Sequence, residues 1–208
     1  MELLLTDLQS FGSINYYCSL IKYKQLLFEQ YEHFVKGSYS NRYYIAGAHG
    51  RQLLSIPILH SNRNRTPFKA LEISYAEDWQ KVHWRAIVSA YRKSPWFDFY
   101  QDDLMIMYIT KYKYIFEWNF ASLRLTKKWL HAHWEIQTTD FYKKEYKTEN
   151  IVDERHQFMP SKREESAIVY PQVFEEKIGF LPNLSILDLL FCEGNNAKNL
   201  LTFSSRRG

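Results

Sequence analysis

The sequence predicts an α/β protein: a single domain with a small mixed sheet flanked by helices. Three observations predict it. The chain opens with an apolar run, a capped helical stretch and a second apolar run, the spacing of a strand–helix–strand unit. The stretch YYIAGAHGRQLLSIPI (43–58) holds two apolar runs around a glycine-punctuated centre, which reads as a hairpin. Further on, apolar residues recur at helical spacing from Trp79 to Ala90. A length of 208 residues suits one core. Residues 1–208 are therefore read as one domain, with a charged loop at 143–167 inside it.

Each element has a local reason. Leu3-Leu4-Leu5 ends at Thr6-Asp7 and reads as a buried strand. Gly12-Ser13 offers an N-cap for a helix over 14–23, and Gln25–Glu32 (QLLFEQYE) reads as a second strand. A polar, basic loop, HSNRNRTP, follows the hairpin at 60–67, and 71–75 reads as a strand. Asp78 is placed to cap a helix over 79–93, with Trp79, Val82, His83, Ala86, Ile87 and Ala90 on one stripe. Ser94-Pro95 stops it. A short helical turn is expected near 100–107, and a helix over 120–131 capped by Asn119. Residues 134–138 read as a strand. Between 143 and 167 charged side chains of both signs crowd out apolar ones, the composition of a mobile loop. Ser185 caps a short helix, SILDLLF, that Gly194 ends. The final SSRRG reads as frayed.

Composition narrows the function classes. The formal charge of +4 is too small to argue for nucleic acid without a clustered patch, and the basic residues are interleaved with acids. Nucleic acid is not expected as a partner. Cys18 and Cys192 lie far apart with no CxxC or Cys/His spacing, which argues against a zinc site or a disulfide framework and fits a reducing cytoplasm. The start MELLLTDLQSFGS lacks a basic region and a long apolar core, so it does not read as a signal peptide. No run approaches the length of a membrane span. Aromatic residues make up 17 %, a payload that suits either a core or polar pockets.

No G-x-S-x-G, G-x-G-x-x-G or P-loop is present, and neither H-E-x-x-H nor H-x-x-H, so no metal site is read and no cofactor is named. Three stretches carry candidate chemistry. In KGSYSNRYYI (36–45), Lys36 and Arg42 are cationic donors, and Ser38 and Asn41 add neutral ones, a set that suits a carboxylate or phosphate. The competing reading is a polar loop before a strand. His83 is either a satisfied core histidine on an apolar stripe or a general acid–base, with Tyr91 at the edge of the same face. In DERHQFMPSK (153–162), Asp153, Arg155, His156 and Lys162 surround a proline, as in a loop that orders over an anion; the competing reading is a solvated linker.

These segments together resemble the WbqC-like family over nearly the whole chain. The matching pieces are LLLTDLQSFGSINYY, KGSYSNRYYIAGAHGRQLLSIPI, WQKVHWRAIVSAYRKSPWFDFY, DERHQFMPSK and YPQVFEEKIGFLPNLSILDLLFCEG. The family's Lys, Ser-Tyr and Asn-Arg motif falls on Lys36, Ser38-Tyr39 and Asn41-Arg42. Its His and Ala-Tyr motif falls on His83 and Ala90-Tyr91. The Asp-x-Arg…Pro-Lys piece falls on Asp153, Arg155, Pro160 and Lys162, and the late motif on Ser185 and Asp188. Ser40 stands where the family often carries Arg, and an extra Ser161 separates Pro160 from Lys162. The resemblance implies that 153–162 is ordered, against its composition. It also implies a bacterial cytoplasmic protein, in some cases from O-antigen and other polysaccharide gene clusters, with a proposed acyl, aminoacyl or sugar-linked transferase role.

The leading expectation is therefore a transferase with a basic pocket for an anionic small molecule. Lys36, Ser38, Tyr39, Arg42, Asp153, Arg155 and Lys162 would bind the substrate, and His83, Tyr91 and Asn41 would act at the reacting atoms. The alternative is a non-catalytic ligand-binding or scaffold partner of a biosynthetic enzyme. A His83 sealed in the core would overturn its catalytic assignment.

Overall fold

A computed structural model describes residues 2–59, 66–146, 150–161 and 168–205. Strand β1 (Leu3–Asp7) pairs in parallel with β2 (Gln25–Glu29) on one side and β6 (Ile151–Asp153) on the other. Strand β5 (Glu135–Thr138) extends the sheet beyond β2, giving the order β5-β2-β1-β6. All pairings are parallel, so the carboxyl ends of the four strands lie along one edge. Ligands of open α/β sheets bind at that edge.

The hairpin forms as expected from β3 (Arg42–Gly47) and β4 (Gly50–Ser55), closed at Gly47↔Gly50. Gly50 has φ +125°, which a side chain would strain. The hairpin is a sheet of its own rather than part of the central one. It packs against α2 (Trp79–Tyr91) and α6 (Ile186–Glu193). α1 (Ile14–Leu20) is the β1–β2 crossover, capped by the Ser13 side chain, which accepts from the Tyr16 amide. The class is α/β, as the sequence predicts.

Several boundaries differ, each for a physical reason. The turn expected near 100–107 is a full helix, α3 (Phe97–Ile109), whose aromatic and apolar residues blur the period. The next helix, α4 (Ile115–Trp129), starts earlier than expected, because Tyr114 and Glu117 supply a capping box. Asn119 is thereby inside the helix, fully buried, and not a cap. Residues 71–75 make only isolated bridges, Ile58↔Ile73 and Glu72↔Tyr114. The side chain of Asp78 makes no cap bond; its carboxylate pairs with Lys81 at 2.8 Å. The charged segment contributes strand β6 and an ordered turn over 154–161, so composition alone misleads there. A short helix, α5 (Glu175–Ile178), precedes α6, and α7 (Ala197–Ser205) takes in Ser204 and Ser205 of the expected frayed tail, whose last three residues lie outside the described ones.

The aromatic excess fills the core. Trp118 is completely buried and meets Trp79, Tyr108, Tyr112 and Phe11 edge-on. Cys18 and Cys192 are free thiols. Among the described residues, no helix is long and apolar enough to cross a membrane.

Candidate functional site

The carboxyl edge of the sheet is built by strand register. Because Leu5 pairs with Asp153, the turn after β6 is delivered beside the end of β1. The Glu154 amide donates to the Leu5 carbonyl, and the His156 amide donates to Oδ2 of Asp7 at 2.7 Å. His156 takes φ +57° to make this turn. Its imidazole then lies between two carboxylates: Nε2 is 3.0 Å from Oε2 of Glu32, and Nδ1 is 3.7 Å from Oδ2 of Asp7. The hydrogen bond to Glu32 raises the His156 pKa above its ordinary value, against partial burial. Burial raises the Asp7 carboxyl, against the nearby His156.

At the end of β2, Glu29 is 3 % exposed. Its Oε1 accepts from the Tyr31 amide at 2.7 Å and from Oγ1 of Thr139 at 3.0 Å. Its Oε2 accepts no hydrogen bond and lies 3.7 Å from Arg155. The KGSYS stretch folds over this edge: the Ser10 amide donates to the Tyr39 carbonyl at 3.0 Å. A cavity of about 20 Å³ results, lined by Asp7, Glu29, Glu32, Ser38, Ser40 and His156, with His33, Phe34 and Phe68 around it. That volume suits one water-sized occupant. Glu32, His33, Phe34 and Val35 also line an adjoining groove of about 420 Å³, whose remaining walls are Tyr31 and Tyr142. Its size is that of small-molecule sites.

Two of the three expected stretches therefore meet in one place. Ser38 from KGSYSNR and His156 from DERHQF line the same cavity. The expected basic lining does not. Acids lead the polar lining, and the expected cations are elsewhere or engaged. Lys36 is exposed. Arg42 opens β3 opposite Ser55, with its Nε buried and without a hydrogen-bond partner. Arg155 is clamped: Nε and Nη2 hold both oxygens of Asp153, while Nη1 and Nη2 donate to the carbonyls of Lys143 and Lys144. Burial pushes the Asp153 carboxyl up, yet the Arg155 guanidinium more than offsets this and holds it below the usual range. Arg155 and Asp153 thus brace the loop rather than offer a free anion site. Tyr39 is buried, edge-on to Tyr44 at 6.3 Å. Lys162 lies outside the described residues.

The three residues expected to act at the reacting atoms lie away from this cavity's lining. His83 is 3 % exposed, enclosed by the rings of Tyr43, Trp79 and Tyr108. Desolvation lowers its pKa to about 4, so it is a neutral core residue. Tyr91 is fully buried; its hydroxyl donates to Oδ1 of Asp188 at 2.6 Å and accepts from the Ala46 amide at 2.9 Å. Asp188 also accepts from Tyr170 and Gln172. Burial raises its carboxyl against these hydrogen bonds. Asn41 donates to the Ile56 carbonyl at 2.9 Å, which ties the KGSYSNR stretch to the exit of the hairpin.

The sequence alone does not single out Asp7, Glu29 and Glu32. A signal existed: two of them are the last residues of apolar strands in a strand–helix–strand unit, where a parallel sheet presents its carboxyl edge. What was lacking was the pairing of β6 with β1, which brings His156 in from the far end of the chain.

The fold and the site define a parallel-sheet α/β protein with an acidic cavity at its carboxyl edge. Residues 11–159 match the model of the WbqC-like protein family, and the chain belongs to that family. The matched span contains Glu29, Glu32, Ser38 and His156 and stops short of Asp7 at one end and Asp188 at the other. No curated protein and no solved structure matches the chain.

Proposed function

We propose that this WbqC-like protein is a cytoplasmic group-transfer enzyme acting on a small metabolite. The group moved is acyl, aminoacyl or sugar-linked, in surface-polysaccharide or related biosynthesis. The groove of about 420 Å³ holds the body of the substrate against Tyr31, Phe34 and Tyr142. The reacting end meets the mouth of the cavity beside it, where Ser38, Ser40, Glu32 and His156 supply hydrogen-bonding groups. One observation carries this reading. Two polar stretches far apart in sequence converge with the ends of β1 and β2 on a single cavity, which opens beside a groove of substrate size. A scaffold protein has no need of such convergence.

The test is thermal-shift screening with nucleotides, nucleotide-sugars and acyl donors. A hit that raises the melting temperature of the wild type, and of Arg42→Ala, but not of Glu32→Gln is expected. A hit that stabilises the Glu32→Gln protein equally removes the cavity from the function. A complete lack of response favours the scaffold reading.

A further inference from the structure

We infer that the cavity is a divalent-cation site, with Asp7, Glu32 and His156 as its protein ligands. The inference rests on the carboxyl-edge cavity as the functional site and says what its reacting end holds. One potential ligand atom from each of the three residues lies within 4.8 Å of the other two. Two atoms bound to one metal at about 2.1 Å stand roughly 3 Å apart in cis and roughly 4 Å apart in trans, so small side-chain rotations close the shell. Two carboxylates and one imidazole suit Mn²⁺, Fe²⁺ or Zn²⁺.

Independent features point to a cation. The first is space: the cavity of about 20 Å³ is the size of a single ion or water, and all three ligands line it. The second is an under-satisfied acceptor: Glu29, 3 % exposed, lines the same cavity with an Oε2 that accepts no hydrogen bond and has Arg155 only at 3.7 Å. The third is charge. Among the described residues, Asp7, Glu29 and Glu32 converge against His156, which lies between Asp7 and Glu32, and Arg155, which is held by Asp153 at 2.6 Å and lies 3.7 Å from Glu29, so four carboxylates face these two cationic side chains. Buried carboxylates in surplus are paired or coordinate metals. The ligands are also pre-set by backbone. The His156 amide bond to Asp7 leaves the other Asp7 oxygen for coordination and fixes the imidazole beside Glu32.

A bound cation also resolves the contrast between an acidic cavity and an anionic substrate. It turns the carboxylate cluster into a site that accepts a phosphate or carboxylate group arriving through the adjoining groove. The substrate class is then one that presents an anionic oxygen to the metal.

Mn²⁺ titrated into the metal-free protein, followed by electron paramagnetic resonance and calorimetry without any substrate, tests the inference. One site per chain is expected. Its Kd should rise at least about tenfold in Glu32→Gln and in His156→Ala, and stay unchanged in Glu72→Gln, whose carboxylate pairs with Lys113 elsewhere on the surface. Melting curves of the metal-free variants verify that they fold. Absence of a Mn²⁺ site in the wild type, or equal affinity in all variants, overturns the inference. The transferase reading fails separately: Mn²⁺ binds but no donor shifts the melting temperature. A donor response that survives chelation of all metal keeps the transferase and removes the cation from its site.

Discussion

Nδ2 of Asn119 donates to the Ser40 carbonyl at 2.8 Å and to the Leu8 carbonyl at 3.0 Å. A single buried amide in α4 thus fastens the KGSYS stretch to the segment that leaves β1. Leu8 and Ser40 both line the acidic cavity. Asn119→Leu keeps the volume and loses both bonds. It leaves two carbonyl oxygens without this donor, at a cost of about 1–3 kcal/mol in urea denaturation. It also weakens Mn²⁺ and substrate binding although Asn119 does not line the cavity. Asn119 is a positioning residue, and a purely structural role would lower stability alone.

His83 makes stability depend on acid. Its pKa is about 4 in the fold and 6.5 when exposed, so the unfolded chain binds the extra proton between these values. The stabilisation is complete above about pH 6.5 and is lost as pH falls toward 4, to a total of about 3 kcal/mol. Urea midpoints from pH 7 to pH 4 should show this slope in the wild type and a shallower one in His83→Gln.

Tyr91 is expected to matter for folding and not for turnover. Tyr91→Phe removes a donor from Asp188 and an acceptor from the Ala46 amide. The loss should be about 2 kcal/mol in chemical denaturation. Below its own melting temperature the variant should give the same ligand-induced shift as wild type. A catalytic tyrosine would give the opposite pattern, intact melting with lost activity.

Arg155 braces the site. Its side chain is 7 % exposed and faces Glu29, whose side chain is 1 % exposed. Arg155→Met removes the close partner of Asp153 at 2.6 Å and the cation 3.7 Å from buried Glu29, a change of roughly 3–5 kcal/mol. Arg155→Lys recovers part of this only, because an ammonium cannot hold both Asp153 oxygens and two carbonyls in one plane. Denaturation midpoints of the three proteins should rank wild type, Lys, Met.

Gly194 closes α6 against an indole. Its φ is +53°, and a Cβ there would lie 2.2 Å from Cδ2 of Trp96. Gly194→Ala should lower stability by about 2 kcal/mol or more, from backbone strain and the clash together. The loss should be partly relieved in the double variant with Trp96→Leu, a coupling that a double-mutant cycle reads directly.

Much of the fold was legible because local physics decides it. The LLL run, Ser13 as a cap, the Gly47–Gly50 turn and the helix on 79–91 each carry their own instruction and form, although Val82 of the expected stripe is exposed and Tyr91 is buried. Asn119 reads as a cap in sequence, yet a good capping residue can equally well satisfy carbonyls from the helix interior. The order of 154–161 was invisible in composition, since it comes from Asp7 and Leu5 in another strand.

The sequence by itself determined the class, the hairpin, the first crossover and the two polar stretches that meet at the site. Only the tertiary structure decided the character of that site. Charge counted along the chain made the stretches basic, but Arg155 is spent on Asp153 and on backbone carbonyls. Parallel pairing of β1 with β2 and β6 then brings Asp7, Glu29 and Glu32 to the same edge as His156. A side chain's chemistry is written in the sequence; what remains free to act depends on the partners that folding places beside it.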